Sequence, residues 1–216
     1  MYLLGVGSAF PSNTLSDGML HDLGTSCSVS EQQIIERVGV RERTVSLPIE
    51  FVRSSHGADI VEARKASIIS PTALGAEAAS RALGRAGISI EQIGLIIADC
   101  ATPYQTCPSE AQRVAGSFGV KVPSYDLTLG SAAIPMVLNI LDSWRDERVP
   151  EYVLFVSTNT PSLHVRYGVD NLSARIFGDA ACALVLSRKH QGQWRVESTD
   201  RFVRVDASSS AFAVEK

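Results

Sequence analysis

The sequence predicts an α/β protein with a mixed five-stranded sheet covered by helices. Three observations carry that reading. "IGLIIADCA" and "EYVLFVSTNTP" are continuous apolar runs of strand length, as expected of strands buried on both faces. "SPTALGAEAASRALGRAGI" is an amphipathic helical stretch with a small-residue face suited to close packing on a sheet. "YDLTLGSAAIPMVLNIL" reads as a strand, a tight turn at Gly130 and a helix.

In chain order, "YLLGVGSAFP" is a strand running into a Gly/Pro turn. "SVSEQQIIERVGV" has serine caps, an early glutamate and helical apolar spacing that ends at Gly39. The stretch from Arg41 to Ser67 is polar and reads as a long irregular excursion, carrying an arginine cluster of Arg37, Arg41, Arg43 and Arg53. The amphipathic helix follows, with Pro71 in its first turn and Gly87 past its end. The apolar strand comes next, then a loop, "TPYQTCPS", and a short helix, "SEAQRVAGSFG", stopped by Gly119. Beyond "EYVLFVSTNTP", a loop leads into the strand "ACALVL". "QWRVESTDRFVRV" alternates like a further strand before a small-residue tail.

At 216 residues, 45% hydrophobic and 20% charged, the chain can bury a substantial core. A net charge of −3 without a Lys/Arg run argues against nucleic acid as partner. No apolar run approaches the roughly 18 residues of a membrane span, and "MYLLGVGSAF" lacks the basic start of a signal peptide. A cytoplasmic protein with no membrane partner is expected. Cys27, Cys100, Cys107 and Cys182 lack C-x-x-C or histidine spacing, so no metal site is expected and they read as free thiols. "GVGSAFPSN" lacks the G-x-G-x-x-G spacing of a dinucleotide fingerprint.

Ser131, at the helix entrance after Gly130, admits two readings. A strand–turn–helix junction suits a nucleophile, because the first helical N–H groups favour developing negative charge. Serine is equally a preferred N-cap with no chemistry.

Several stretches in register resemble the β-ketoacyl synthase III family of the thiolase superfamily: "GVGSAFPSN", "IIERVGVRER", "AGISIEQIGLIIADCATP", "CPSEAQRVAGSFG", "YDLTLGSAAIP" and "IFGDAACALVL". The resemblance implies a thiolase-like layered fold, with 1–190 as its N-terminal half and 191–216 as the start of the second half or an extension. It places Ser131 where the family has its nucleophilic cysteine. The family's catalytic histidine and asparagine belong to the second half and match no residue of this sequence. His190, in "RKHQGQW", comes too early in the order and reads as a loop histidine.

Cysteine suits acyl transfer because it is partly ionised near neutrality, whereas serine needs a base to take its proton. Ser131 therefore argues against carbon–carbon condensation. Two functions stay open: acyl transfer with Ser131 as acyl acceptor, or a non-catalytic partner subunit of a heteromeric ketosynthase. The resemblance implies an acyl-carrier protein or acyl-CoA thioester as substrate and no further cofactor. It also implies a homodimer or a second ketosynthase-like chain as partner. Arg37 and Arg41 match arginines near the family's pantetheine entrance, or else pair structurally with Glu36 or Glu42. Gln33 occupies the position of an aromatic that stacks on the CoA adenine, which favours a carrier protein as donor. The resemblance implies that Cys107 falls in a loop reaching toward the partner subunit's acyl pocket, where it gauges chain length or is a buried apolar thiol. Phe177 to Asp179, "FGD", reads as a turn supporting the nucleophile loop.

Overall fold

The computed structural model describes residues 1–197 except 27, 29–31, 34, 35, 38, 170 and 193. Its central sheet is mixed. Strand β1 (Tyr2–Ala9), β4 (Leu95–Asp99), β5 (Ser124–Asp126), β6 (Val153–Asn159), β7 (Ala180–Ser187) and β8 (Trp194–Arg195) run in the order β5-β4-β6-β7-β1-β8. β4 pairs in parallel with β5 and β6, while β7 and β1 add antiparallel. The sequence predicted a five-stranded sheet and a further strand within "QWRVESTDRFVRV", where β8 falls. The sixth, β8, is an exposed pair of residues that bonds to Tyr2 and Leu3, so the segment after residue 190 joins the same sheet at its start. The alternating pattern beyond residue 197, and most of the segment assigned to 191–216, lie outside the described residues.

All five residues of β4 are buried, as a two-sided strand requires. One face of the sheet is covered by α4 (Pro71–Ala86) and α5 (Glu110–Ser117), which enclose Leu74, Ala78, Ala82, Ile96, Val114, Leu154 and Val156. α4 starts at Ser70, whose side chain accepts from the Ala73 N–H, and ends at Gly87 in the left-handed region, φ 66°. The "GVG" of β1 is explained by this helix. A Cβ on Gly5 would lie 2.2 Å from the Ala82 carbonyl oxygen, and one on Gly7 would lie 2.0 Å from that of Ala78. On the opposite face α6 (Ala133–Ser143) packs Ala133, Val137 and Leu141 against Ile97, Phe155 and Leu186.

The stretch from Arg41 to Ser67 corrects the irregular reading. It forms β3 (Glu42–Val45), α2 (Ile49–Ser55) and α3 (Ile60–Ala66). β3 pairs antiparallel with β2 (Asn13–Ser16), beside α1 (Asp17–Asp22). Together they enclose a second core of Leu15, Leu20, Val45, Leu47, Val52 and Ala63, closed by Leu163, Tyr167 and Ala174 of the segment around α7 (Leu172–Ile176). Its apolar residues are spread over a hairpin and two short helices, so no single period revealed them. The arginine cluster also dissolves. Arg43 is buried, pairs with Asp17 Oδ1 at 2.7 Å and donates to the Leu15 carbonyl. Arg53 pairs with Glu50 on the surface.

Of the predicted "SVSEQQIIERVGV" helix, Gln32, Gln33, Glu36 and Arg37 are helical and Gly39 follows at φ 75°. Val29, Ile34, Ile35, Val38 and Cys27 lie outside the described residues. No described helix is long and apolar enough to cross a membrane.

Candidate active site

The parallel strands β4, β5 and β6 end on one side of the sheet, and the loops that follow them meet there. In open α/β sheets this edge is where ligands bind. β5 leads through Leu127, Thr128 and Leu129 into a single tight helical turn, Gly130–Ala132, and then into α6. Gly130 has φ +56°, a conformation glycine adopts without strain.

Asp99, the last residue of β4, holds that turn. It is fully buried, and its Oδ1 accepts from the N–H groups of Leu129 (2.8 Å) and Gly130 (2.9 Å). Oδ2 accepts from the Ser157 hydroxyl of β6 at 2.9 Å. The Leu127 N–H donates to the Ala98 carbonyl at 2.7 Å, and the Thr128 hydroxyl to the Cys100 carbonyl at 3.5 Å. Sequence reasoning missed Asp99. Its signal was one carboxylate at the end of an otherwise apolar run, where a buried charge needs dedicated partners.

Ser131 stands exposed on this turn. It is not the N-cap that its sequence position suggested. That position belongs to Ala132, and neither the turn nor α6 has a side-chain cap bond. A cap must precede the helix with its oxygen turned back to the second or third N–H; here the turn intervenes. The N–H groups of Leu129 and Gly130 go to Asp99, that of Ala132 to the Leu129 carbonyl and that of Ala133 to Gly130. The Ser131 N–H uses none of these acceptors. Among the described residues no histidine hydrogen-bonds Ser131.

Phe177–Asp179 is structural, as expected, but it supports a different segment from the one predicted. Buried Asp179 accepts from the Ser46 N–H (2.6 Å), the Ser162 N–H (2.8 Å) and the Ser162 hydroxyl. Its own N–H donates to the Thr44 carbonyl. It bolts β3 to the turn after β6, and support of the Ser131 turn falls to Asp99. Burial pushes the Asp179 carboxyl above its ordinary range, partly offset by these hydrogen bonds.

Of the described cysteines, burial and then nearby Glu110 push the Cys100 thiol up to about 12, and burial raises Cys182. Neither has the thiolate character of a nucleophile. Cys107 is a free thiol exposed in the loop between β4 and α5, which corrects the buried-thiol alternative. Arg37 and Arg41 are exposed, and among the described residues they form no ion pair; Glu36 accepts instead from Gln32 at 3.2 Å. The structure therefore brings the Cys107 loop and Ser131 to one strand end, but forms no hydrogen bond from Arg37 or Arg41 to either. His190 is a loop histidine after β7, stacked on Tyr152 and 2.7 Å from Glu151. No group of three or more described His, Cys, Asp or Glu residues could hold a metal ion.

No family model matches the chain. It is 28% identical over 190 residues to the β-ketoacyl-[acyl-carrier-protein] synthase III of Salmonella typhi, covering 88% of this chain and 53% of that protein. The crystal structure of 3-oxoacyl-[acyl-carrier-protein] synthase III from Aquifex aeolicus VF5 superposes with a TM-score of 0.69 at 26% identity, over 88% of this chain and 54% of that one. The chain is ketosynthase III-like and has the thiolase fold. The priming β-ketosynthase of the R1128 polyketide pathway shares the fold at a TM-score of 0.66 and 24% identity, over 86% and 49% of the two chains. The ketosynthase III-like chain spans about half the length of these relatives.

Proposed function

We propose that this ketosynthase III-like chain serves acyl transfer in fatty-acid or polyketide-type biosynthesis, with Ser131 as the acyl acceptor. The observation that carries the reading is the turn itself: Ser131 is exposed, caps nothing, and sits on backbone that a buried carboxylate holds. The donor is an acyl-carrier-protein or CoA thioester. Ser131 Oγ adds to the thioester carbonyl while its proton passes to a base, and the Ser131 N–H supports the oxyanion. The C–S bond then breaks, the thiol leaves with a proton, and an oxyester remains on Ser131. An alcohol, amine or thiol acceptor takes the acyl group in the reverse sense. The base is a histidine from a second ketosynthase-like chain or from residues outside this sequence. Arg37 and Arg41, exposed and without ion pairs among the described residues, are the cations offered to an acidic carrier surface.

The test is intact-protein mass spectrometry after incubation with acyl donors and any partner chain. One acyl mass should appear, map to the Ser131 peptide and vanish in Ser131→Ala. Ser131→Cys should acylate faster, because a thiol ionises more readily. Asp99→Ala leaves three donors without their acceptor and should lower loading by roughly tenfold or more, at about 1–3 kcal/mol for each stranded group. No adduct with any donor would leave the chain as a non-catalytic partner subunit.

A further inference from the structure

Helices α1 and α2 each turn one face toward a common cleft. Met19, Asp22 and Leu23, spaced i, i+3 and i+4, line it from the α1 side. Ile49, Arg53 and His56, spaced i, i+4 and i+7, line it from the α2 side. Buried Leu15 of β2 completes the lining. The cleft has a volume of about 310 Å³, at the small end of the range for small-molecule sites. Its apolar residues are buried or half-buried, whereas Asp22, Arg53 and His56 are exposed. Apolar surface therefore lies inside and charge lies on the rim.

One end of the cleft is held rigidly. His56 closes α2 at φ 53°, and among the described residues it is the one non-glycine residue with positive φ. Such a conformation costs a residue with a Cβ and persists where the surroundings fix it. Here the His56 N–H donates to the Val52 carbonyl, and the His56 carbonyl accepts from the Tyr167 N–H at 2.8 Å. A Cβ on Gly168 would lie 2.4 Å from His56 Nδ1 and 2.9 Å from the Leu23 carbonyl oxygen. The His56 ring and the end of α1 are thus packed on the same glycine, which sets the width of the cleft. The rim charges, by contrast, are unjoined across it. Asp22 pairs with its neighbour His21 at 3.9 Å, and Arg53 with Glu50 on its own helix at 3.2 Å. Among the described residues no ion pair crosses from α1 to α2. Exposed local pairs of this kind contribute little and yield readily to a ligand.

We propose that the cleft between α1 and α2 binds a free α-amino acid with an apolar side chain. Asp22 takes the ammonium, Arg53 takes the carboxylate, and the side chain lies on Leu15, Met19, Leu23 and Ile49. A zwitterion matches both signs of the rim at once. A fatty carboxylate sets its charge against Asp22, and a simple amine leaves Arg53 unused. No residue of the Ser131 turn lines the cleft, so the proposal stands or falls apart from the acceptor role of Ser131.

The experiment uses the whole chain, calorimetric titration and hydrogen exchange, with L-leucine as the probe. Isocaproate is leucine without the ammonium, and isoamylamine is leucine without the carboxylate. Leucine should bind saturably and slow exchange in peptides of α1 and α2 while α4 is unchanged. Each analogue should bind about tenfold more weakly or worse, the scale of one charge-assisted hydrogen bond. Asp22→Asn and Arg53→Gln, checked for folding by circular dichroism, should each lose about tenfold for leucine, on the same scale. Asp22→Asn should leave isocaproate binding unchanged, and Arg53→Gln should leave isoamylamine binding unchanged. A purely structural effect of either substitution would not give that crosswise pattern. If a variant does not fold, the three ligands on wild type still decide. Absence of saturable leucine binding up to about 10 mM overturns the proposal. Isocaproate binding as tightly as leucine overturns the zwitterion, and wild-type leucine affinity in both variants overturns the placement in this cleft.

Discussion

Two buried carboxylates flank the Ser131 segment and differ in how they are satisfied. Asp99 accepts three hydrogen bonds, two of them from the turn itself. Glu110, the first residue of α5, is fully buried and has no such set of well-aligned donors among the described residues. Burial pushes its carboxyl above the ordinary 4.5, offset in part by the neighbouring Thr72 hydroxyl and then by the Arg113 charge. A group that binds its proton more tightly when folded favours the folded state below its unfolded pKa, and that contribution is lost as pH rises through the folded value. Glu110→Gln removes the titration. The difference in melting temperature between variant and wild type should therefore grow in favour of the variant from pH 5 to pH 8. A difference that stays flat over that window would show that Glu110 finds a partner in solution.

At the scale of elements, the contact of β1 with α4 sets the tightest tolerance in the fold. The atoms a Cβ on Gly7 would meet are the Ala78 carbonyl oxygen at 2.0 Å and the Ala82 nitrogen at 2.6 Å. Both are helix backbone, so the helix must move. Gly7→Ala should cost about 1–3 kcal/mol, the usual range for overpacking a well-packed core. Gly84, on the exposed side of the same helix, has open space where its Cβ would be. Gly84→Ala should stabilise by roughly 0.5–1 kcal/mol, because alanine loses less backbone freedom in a helix. Urea unfolding of the two variants should give midpoints on opposite sides of wild type; a tolerated Gly7→Ala would mean that α4 does not sit this close to the strand. The same helix also guards the open edge of β1: Arg81 donates to the Ser8 carbonyl at 2.6 Å and Arg85 to that of Val6 at 2.7 Å. Filling edge acceptors with arginine removes the template for adding a foreign strand.

For the whole molecule, the two faces of the sheet are unequally covered. α4 and α5 bury one face, while α6 covers only part of the other. α6 turns Ala133, Val137 and Leu141 to the sheet, yet its remaining surface carries Ile134, Met136, Leu138 and Ile140, of which Ile134 is 38% exposed. Its polar residues, Asn139, Asp142 and Ser143, lie towards its C-terminal end, so its first turns are apolar beyond the sheet-facing stripe, as in a helix set in an interior. Val6, Leu129 and Trp194 are further large apolar residues left at the surface. The purified chain should self-associate at micromolar concentration or pair with a second ketosynthase-like chain. Ile134→Glu should weaken that association by about tenfold or more in Kd, equivalent to roughly 1.4 kcal/mol. Sedimentation of wild type as a monodisperse monomer across the micromolar range would refute the pairing.

The order of the main elements was legible from residue pattern, because long periodic stretches such as Pro71–Ala86 and wholly apolar runs such as Leu95–Asp99 announce their environment locally. The pattern also placed Ser131 on a strand–turn–helix junction. Other features emerge only on folding, because they depend on residues far apart in the chain. Ser131 is not a cap because a turn separates it from the helix, and Asp99, about thirty residues earlier, holds that turn. Asp179 supports β3, more than a hundred residues away, and not the site. Arg64 lay in a stretch without any period, and only the fold brings it to the Pro103 and Tyr104 carbonyls of the loop after β4. A hydrogen-bond partner across such a separation leaves no periodicity in the sequence, whereas burial along one element does.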